Sequence, residues 1–119
     1  MENSESVEVF AAELERRFVK DFLDILILQL VETQHIWGYK IIKETEAKHG
    51  VKLRHGALYP MLNNLEAKGF VTSEKELEKG RIRKIYGITP EGKLLLHVYH
   101  NFLKEQTTKT NRKKKERMK

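Results

Sequence analysis

The sequence has no cysteine. That excludes a disulfide framework, a zinc-thiolate site and a cysteine nucleophile, and it suits a reducing compartment. Stability must then come from packing or from oligomerisation. Proline occurs only at Pro60 and Pro90, so little interrupts helical segments. No long apolar run is present: "ILILQLV", residues 25–31, falls far short of the roughly 20 residues that span a bilayer, and it reads as core rather than membrane. The N-terminal "MENSESVEVF" carries acids where a secretory signal needs a basic start and an apolar stretch. A cytoplasmic protein with no membrane partner is expected. No internal repeat is visible. A chain of 119 residues that is 39% hydrophobic suits one domain with a real core.

Charge is unevenly placed. The net charge is +6, and residues 109–119 alone hold seven Lys or Arg against one Glu, which leaves residues 1–108 neutral. The tail "KTNRKKKERMK" reads as a solvated disordered end, or as a flexible arm drawn to a polyanion such as nucleic acid.

Hydrophobic periodicity organises the rest. Val7, Phe10, Ala11, Leu14 and Phe18 form one helical stripe, assigned to an N-terminal helix within residues 1–18. From Val19 to about Glu32 the apolar face widens to most of a helix circumference, which marks a segment buried on several sides. A third helix lies within "IWGYKIIKETEAKHG", with Tyr39 and Ile42 on its stripe and Gly50 as its stop. "VKLRHG", residues 51–56, is short and mixed and is a candidate bridging strand. A fourth helix runs through "HGALYPMLNNLEAKGF", with Gly, Tyr and Pro crowding its first turn. If Gly69 is the left-handed residue that ends it, Phe70 and Leu65 form the contact that closes a Schellman motif. Alternating residues on either side of Lys79-Gly80 predict a hairpin. Thr89-Pro90-Glu91 then offers a hydroxyl cap, a proline at the first helical position and an acid in the first turn. The predicted fold is mainly α with a small β-hairpin: a winged helix-turn-helix over residues 19–89, an added N-terminal helix, and a C-terminal helix over residues 90–108.

The fourth helix is two-sided. At 100° per residue Leu58, Met61, Leu62 and Leu65 share one side, while Gly56, Pro60, Asn63 and Ala67 share the other. A face of small residues lets a helix backbone enter a groove, as major-groove reading requires. Asn63 suits the adenine edge, and Arg54, Tyr59 and the helix N-terminus suit phosphates; His55 before the helix, Asn64 on its flank and Lys68 near its end are further candidate DNA contacts. Such a face also fits an ordinary solvated helix. The hairpin adds Lys79, Arg81, Arg83 and Lys84 around its turn, in the position of a wing that touches the backbone or minor groove beside the helix. Its plain alternative is a hairpin protected from edge pairing by charge.

Three stretches carry a family resemblance. "WGYKIIKE", "GALYPMLNNLEAKGFV" and "RKIYGITPEGKLLL" resemble, in order and spacing across about residues 19–96, the signature segments of PadR-type winged-helix transcriptional regulators. The resemblance implies a homodimeric repressor on a palindromic DNA operator. Tyr59 and Pro60 would stand at the head of the recognition helix, Tyr59 touching DNA and Gly56 and Pro60 keeping that head slim. It also implies the short form of the family, without a large effector domain, so that a small-molecule effector would sit at the dimer interface.

Dimerisation has its own candidates. Phe10, Leu14, Leu95, Val98, Tyr99 and Phe102 make two apolar stripes that would bury each other across a two-fold axis, unless each folds back on its own domain. Trp37 and Tyr39 read as core, with a pocket wall as the alternative. No nucleophile, base and orienter occur together, so no catalytic residue is assigned and no enzyme is expected. His97 and His100, one helical turn apart, are too few for a metal site, and no metal or cofactor is assigned. A winged helix that binds proteins rather than DNA is the alternative function.

Overall fold

The computed structural model describes residues 2–108, and the basic segment 109–119 lies outside the described residues. Eight elements follow one another: α1 (Glu2–Asp21), α2 (Leu23–Thr33), β1 (Ile36–Trp37), α3 (Gly38–His49), α4 (His55–Ala67), β2 (Val71–Glu78), β3 (Arg81–Ile88) and α5 (Pro90–Thr107). The expected winged helix-turn-helix is present, with a helix added at each end.

α2 is the hub of the core. Ile25, Ile27 and Leu28 are at most 1% exposed, and α3, α4, the sheet and α5 close over them with Ile41, Leu58, Leu62, Tyr86 and Leu96. Each such side chain contributes about 1.5–3 kcal/mol through burial. The first two helices divide at Phe22, later than the expected boundary at residue 18. The reason is local: neither glycine nor proline stands at 18–19, Phe18 and Phe22 stack at 5.6 Å, and the Phe22 N–H still reaches the Phe18 carbonyl at 2.9 Å. At the end of α3, His49 Nδ1 meets Glu15 Oε2 at 2.6 Å and its ring packs beside Phe18, which seats α1 on the helix-turn-helix.

The sheet order is β1-β3-β2, antiparallel throughout. Here the expected bridging strand is corrected. β2 takes one edge of β3 and Ile36–Trp37 takes the other, pairing Ile36 with Tyr86 and Trp37 with Ile85, so residues 51–54 have no edge to join. The hairpin turns on Lys79 (φ 49°) and Gly80 (φ 77°), two left-handed residues as a type I′ turn requires.

α4 ends as its sequence signals. Gly69 has φ 81°, its N–H reaches the Glu66 carbonyl at 3.0 Å, and the Phe70 N–H reaches the Leu65 carbonyl at 2.9 Å, completing the Schellman motif. Pro60 lies past the first turn, not within it, and has no N–H to offer the Gly56 carbonyl. α5 begins where Thr89 Oγ1 accepts from the Gly92 N–H at 3.0 Å and donates to the Gly69 carbonyl at 2.6 Å, so one hydroxyl ties the end of α4 to the start of α5.

Tyr86 and Tyr99 have pKa values raised above the ordinary 10.0. Burial is the main cause for both; the negative charge of Glu66 adds to it at Tyr86, and the bond donated to Asp24 at Tyr99. A raised acid favours the fold while the proton stays on, so this stabilisation is complete below pH 10 and is lost as pH climbs through the folded values. Urea midpoints are therefore expected to fall above pH 10, and less steeply in Tyr99→Phe than in the parent. Equal slopes for the two proteins would contradict this role of Tyr99.

Candidate nucleic-acid interface

α4 presents its two faces as the periodicity requires. Leu58, Leu62 and Leu65 are buried, while Gly56, Pro60, Asn63 and Ala67 are exposed. The N-cap residue Arg54 makes no side-chain capping bond, which leaves the first amides of this 13-residue helix free of a side-chain acceptor. Arg54 and His55 are exposed beside that end, and Asn64 and Lys68 are exposed further along. Lys68 stands about 20 Å from the head of the helix at 1.5 Å per residue, so the two ends address separate points of any ligand.

An open cleft of about 730 Å³ runs between α4 and the wing. Tyr59 and Asn63 line it from α4, and Arg81, Ile82, Arg83, Lys84 and Tyr86 from β3. Trp37, Gly38 and Tyr39 close its end at the start of α3. Of the sequence candidates, the fold thus gathers Tyr59, Asn63, Arg81, Arg83 and Lys84 around one concavity. Arg54, His55, Gly56, Pro60, Asn64, Lys68 and Lys79 are exposed but lie outside its lining.

Aromatic packing sets the cleft. The Arg83 guanidinium lies 4.4 Å from the centre of the Trp37 ring, a cation–π contact that fixes where this cation sits. Tyr59 does not simply reach outward: it is half-buried, stacked on His55 at 5.6 Å with the rings 15° apart, and laid over Gly38. A Cβ at residue 38 would stand 2.6 Å from the Tyr59 hydroxyl, so glycine is what lets α3 come this close to α4. Glu66 is turned away from the outer face, where it accepts the Ser73 hydroxyl bond at 2.5 Å.

Sequence reasoning missed part of this lining. Trp37 and Tyr39 read as core, yet Trp37 is half-buried on the cleft wall and Tyr39 is exposed with Lys43 5.5 Å from its ring. Ile82 and Tyr86 carried no signal of their own; the hairpin register alone would have placed them beside Lys84. Of the expected dimer stripe on α5, Leu95 and Tyr99 turn toward their own core, and the Tyr99 hydroxyl donates to Asp24 Oδ2 at 3.0 Å. Val98 and Phe102 stay exposed, joined by Leu94.

Fold and site together define a winged helix-turn-helix protein with a slim exposed helix beside a cationic wing. A family model described as the transcriptional regulator PadR-like family matches residues 27–98, and the chain belongs to that family. It is 33% identical over 81 residues to the transcriptional regulator Rv3488 of Mycobacterium tuberculosis, covering 68% of this chain and 75% of that protein. A crystal structure of a PadR family transcriptional regulator from Eggerthella lenta superposes with a TM-score of 0.65 at 28% identity, over 87% of each chain. Bacillus subtilis PadR, solved in complex with operator DNA, is similar over 66% of this chain and 46% of that one, with a TM-score of 0.62 and 28% identity. The family is one of transcriptional regulators rather than enzymes. No helix among the described residues is long and apolar enough to cross a membrane.

Proposed function

We propose that this PadR-family chain is a sequence-specific DNA-binding repressor that acts in the cytoplasm as a homodimer on a palindromic operator. One observation carries the reading: Tyr59 and Asn63 of α4 and Lys84 of β3 line the same cleft, so a duplex laid across the exposed face of α4 meets the wing as well. The operator complex of the similar Bacillus subtilis PadR supports it. In this reading Asn63 addresses a base edge, Arg54, His55 and the uncapped amides of α4 hold phosphates, and Tyr59 offers its hydroxyl from the cleft wall.

The dimer is proposed from two unpartnered stripes. Val7, Phe10 and Leu14 on α1, and Leu94, Val98 and Phe102 on α5, are each more than half exposed. The radius of gyration is 17.5 Å, against about 13 Å for a compact chain of this length, as expected where terminal helices wait for a partner. A two-fold pair would set two copies of α4 one DNA turn apart, roughly 34 Å. Light scattering on the full chain at micromolar concentration is expected to give the dimer mass; a strict monomer contradicts the arrangement.

Selection from a random duplex pool tests the reading as a whole. Enriched sites are expected to be inverted repeats with half-sites about 10 base pairs apart. The neutral charge of residues 1–108 favours a second reading, a winged helix that binds proteins. That reading expects no enrichment and no duplex binding at low salt.

A further inference from the structure

The register of the wing divides its side chains between two unlike faces. On one, Glu78 stands opposite Arg81, Glu76 opposite Arg83 and Glu74 opposite Ile85, so three carboxylates outnumber two guanidiniums. On the other, Leu77 stands opposite Ile82, Lys75 opposite Lys84, Ser73 opposite Tyr86 and Val71 opposite Ile88. Both sets follow from the two-residue alternation of strands.

The second face is the one turned toward α4 at its base, where Val71 and Tyr86 are buried and Ser73 bonds to Glu66. Beyond Tyr86 the domain no longer covers it. There it continues as Lys75 and Lys84, then as Leu77 and Ile82, which are 73% and 71% exposed. Two ammonium groups directly across a ladder repel each other, a cost the isolated hairpin does not recover. The Leu77–Ile82 pair supports the hairpin across the ladder, yet it leaves most of its apolar surface in water, flanked by that doublet and by Lys79 at the tip. A polyanion with apolar walls answers both features: its phosphates take the ammonium groups and its sugars take the aliphatic ridge.

We propose that the wing meets duplex DNA through this face alone, Lys75 and Lys84 holding phosphates and Leu77 and Ile82 lying against the minor-groove wall. The inference rests on the DNA-binding reading and narrows the sequence expectation, which gave the wing contacts to Lys79, Arg81, Arg83 and Lys84 together: it keeps Lys84, adds Lys75 and removes the two arginines. Those two cations face carboxylates across the ladder, and Arg83 is held on Trp37, so they shape the cleft rather than neutralise phosphates. Ile82 and Lys84 line the same cleft as Asn63, and so do Arg81 and Arg83; what separates the two pairs is the ladder partners and the Trp37 contact.

The test compares full-length doubles that each remove two cations, Lys75→Gln/Lys84→Gln and Arg81→Gln/Arg83→Gln. The probe is a fluorescein-labelled duplex chosen from the random pool, titrated over a salt series. A slope of about −0.9 per phosphate contact gives an expected loss of about 1.8 in the log-log slope for the Lys pair and little change for the Arg pair. Lys84→Gln alone is expected to show about half of that loss, about 0.9, which guards against a damaged hairpin in the double. Leu77→Ser/Ile82→Ser is expected to weaken binding severalfold at every salt concentration with the slope unchanged. Equal slope losses for the two cation pairs overturn the assignment while leaving DNA binding intact. So does a Leu77→Ser/Ile82→Ser protein that binds DNA normally but changes oligomeric mass, since the ridge is then a protein contact. A parent that binds no duplex overturns the functional reading itself.

Discussion

Gly92→Ala is expected to destabilise the domain by about 3 kcal/mol or more, the upper range for forcing volume into a packed site. A Cβ at residue 92 would stand 2.1 Å from the Phe70 carbonyl oxygen and 2.7 Å from Ile88 Cγ1. The obstacle is backbone, and it is held in place. The Phe70 N–H closes the Schellman motif on Leu65, its carbonyl accepts the Thr89 N–H at 3.2 Å, and the Thr89 hydroxyl grips the neighbouring Gly69 carbonyl. α5 can retreat only by breaking the junction that sets it against α4. Because α2 and α5 close the core together through Leu96 and Tyr99, the loss should register globally in urea or thermal unfolding. A variant within about 0.5 kcal/mol of the parent, the usual range for an uninvolved surface change, contradicts this account of the junction.

Asn63→Asp carries the largest expected effect on binding. The side chain is exposed on the outer face of α4 and the change is nearly isosteric, so stability should stay within about 0.5 kcal/mol. The chemistry changes completely. An amide that can donate and accept toward an adenine edge becomes an acceptor-only carboxylate, and a negative charge enters a phosphate-lined groove. Losing a bidentate base contact costs about 1–3 kcal/mol. With repulsion added, affinity for the selected duplex is expected to fall roughly 100-fold, each 1.4 kcal/mol being tenfold. Affinity within twofold of the parent removes Asn63 from the reading role.

Local signals were legible in the sequence wherever a residue type had one conformational use. Gly69 followed by Phe70 ended α4, Thr89-Pro90-Glu91 started α5, and Lys79-Gly80 turned the hairpin, each where its chemistry placed it. Long-range choices were not legible. β1 is two residues long and has no period to detect; it exists because β3 offers a free edge to Ile36 and Trp37. The apolar arc of α5 is wide enough to hold both Leu95 and Leu94, and only packing against the core decides that Leu95 turns in and Leu94 out. Phe18 and Phe22 carry the helix past the expected boundary by a local contact, one turn apart, that the stripe pattern did not reveal. At the site, α4 was readable from its small outer face. The aromatic end of the cleft at Trp37 and Tyr39 was not, since composition cannot tell a wall from a core.

Backbone amide shifts of the isotope-labelled full chain, followed while the selected duplex is added, test most directly whether α4 and the wing grip DNA together. Shifts are expected at Gly56, Tyr59 and Asn63 and along residues 75–84, with the outer stripe of α5 at Leu94, Val98 and Phe102 unmoved. Shifts confined to α1 and α5, or none at low salt, would show that the slim helix and its wing serve some other partner.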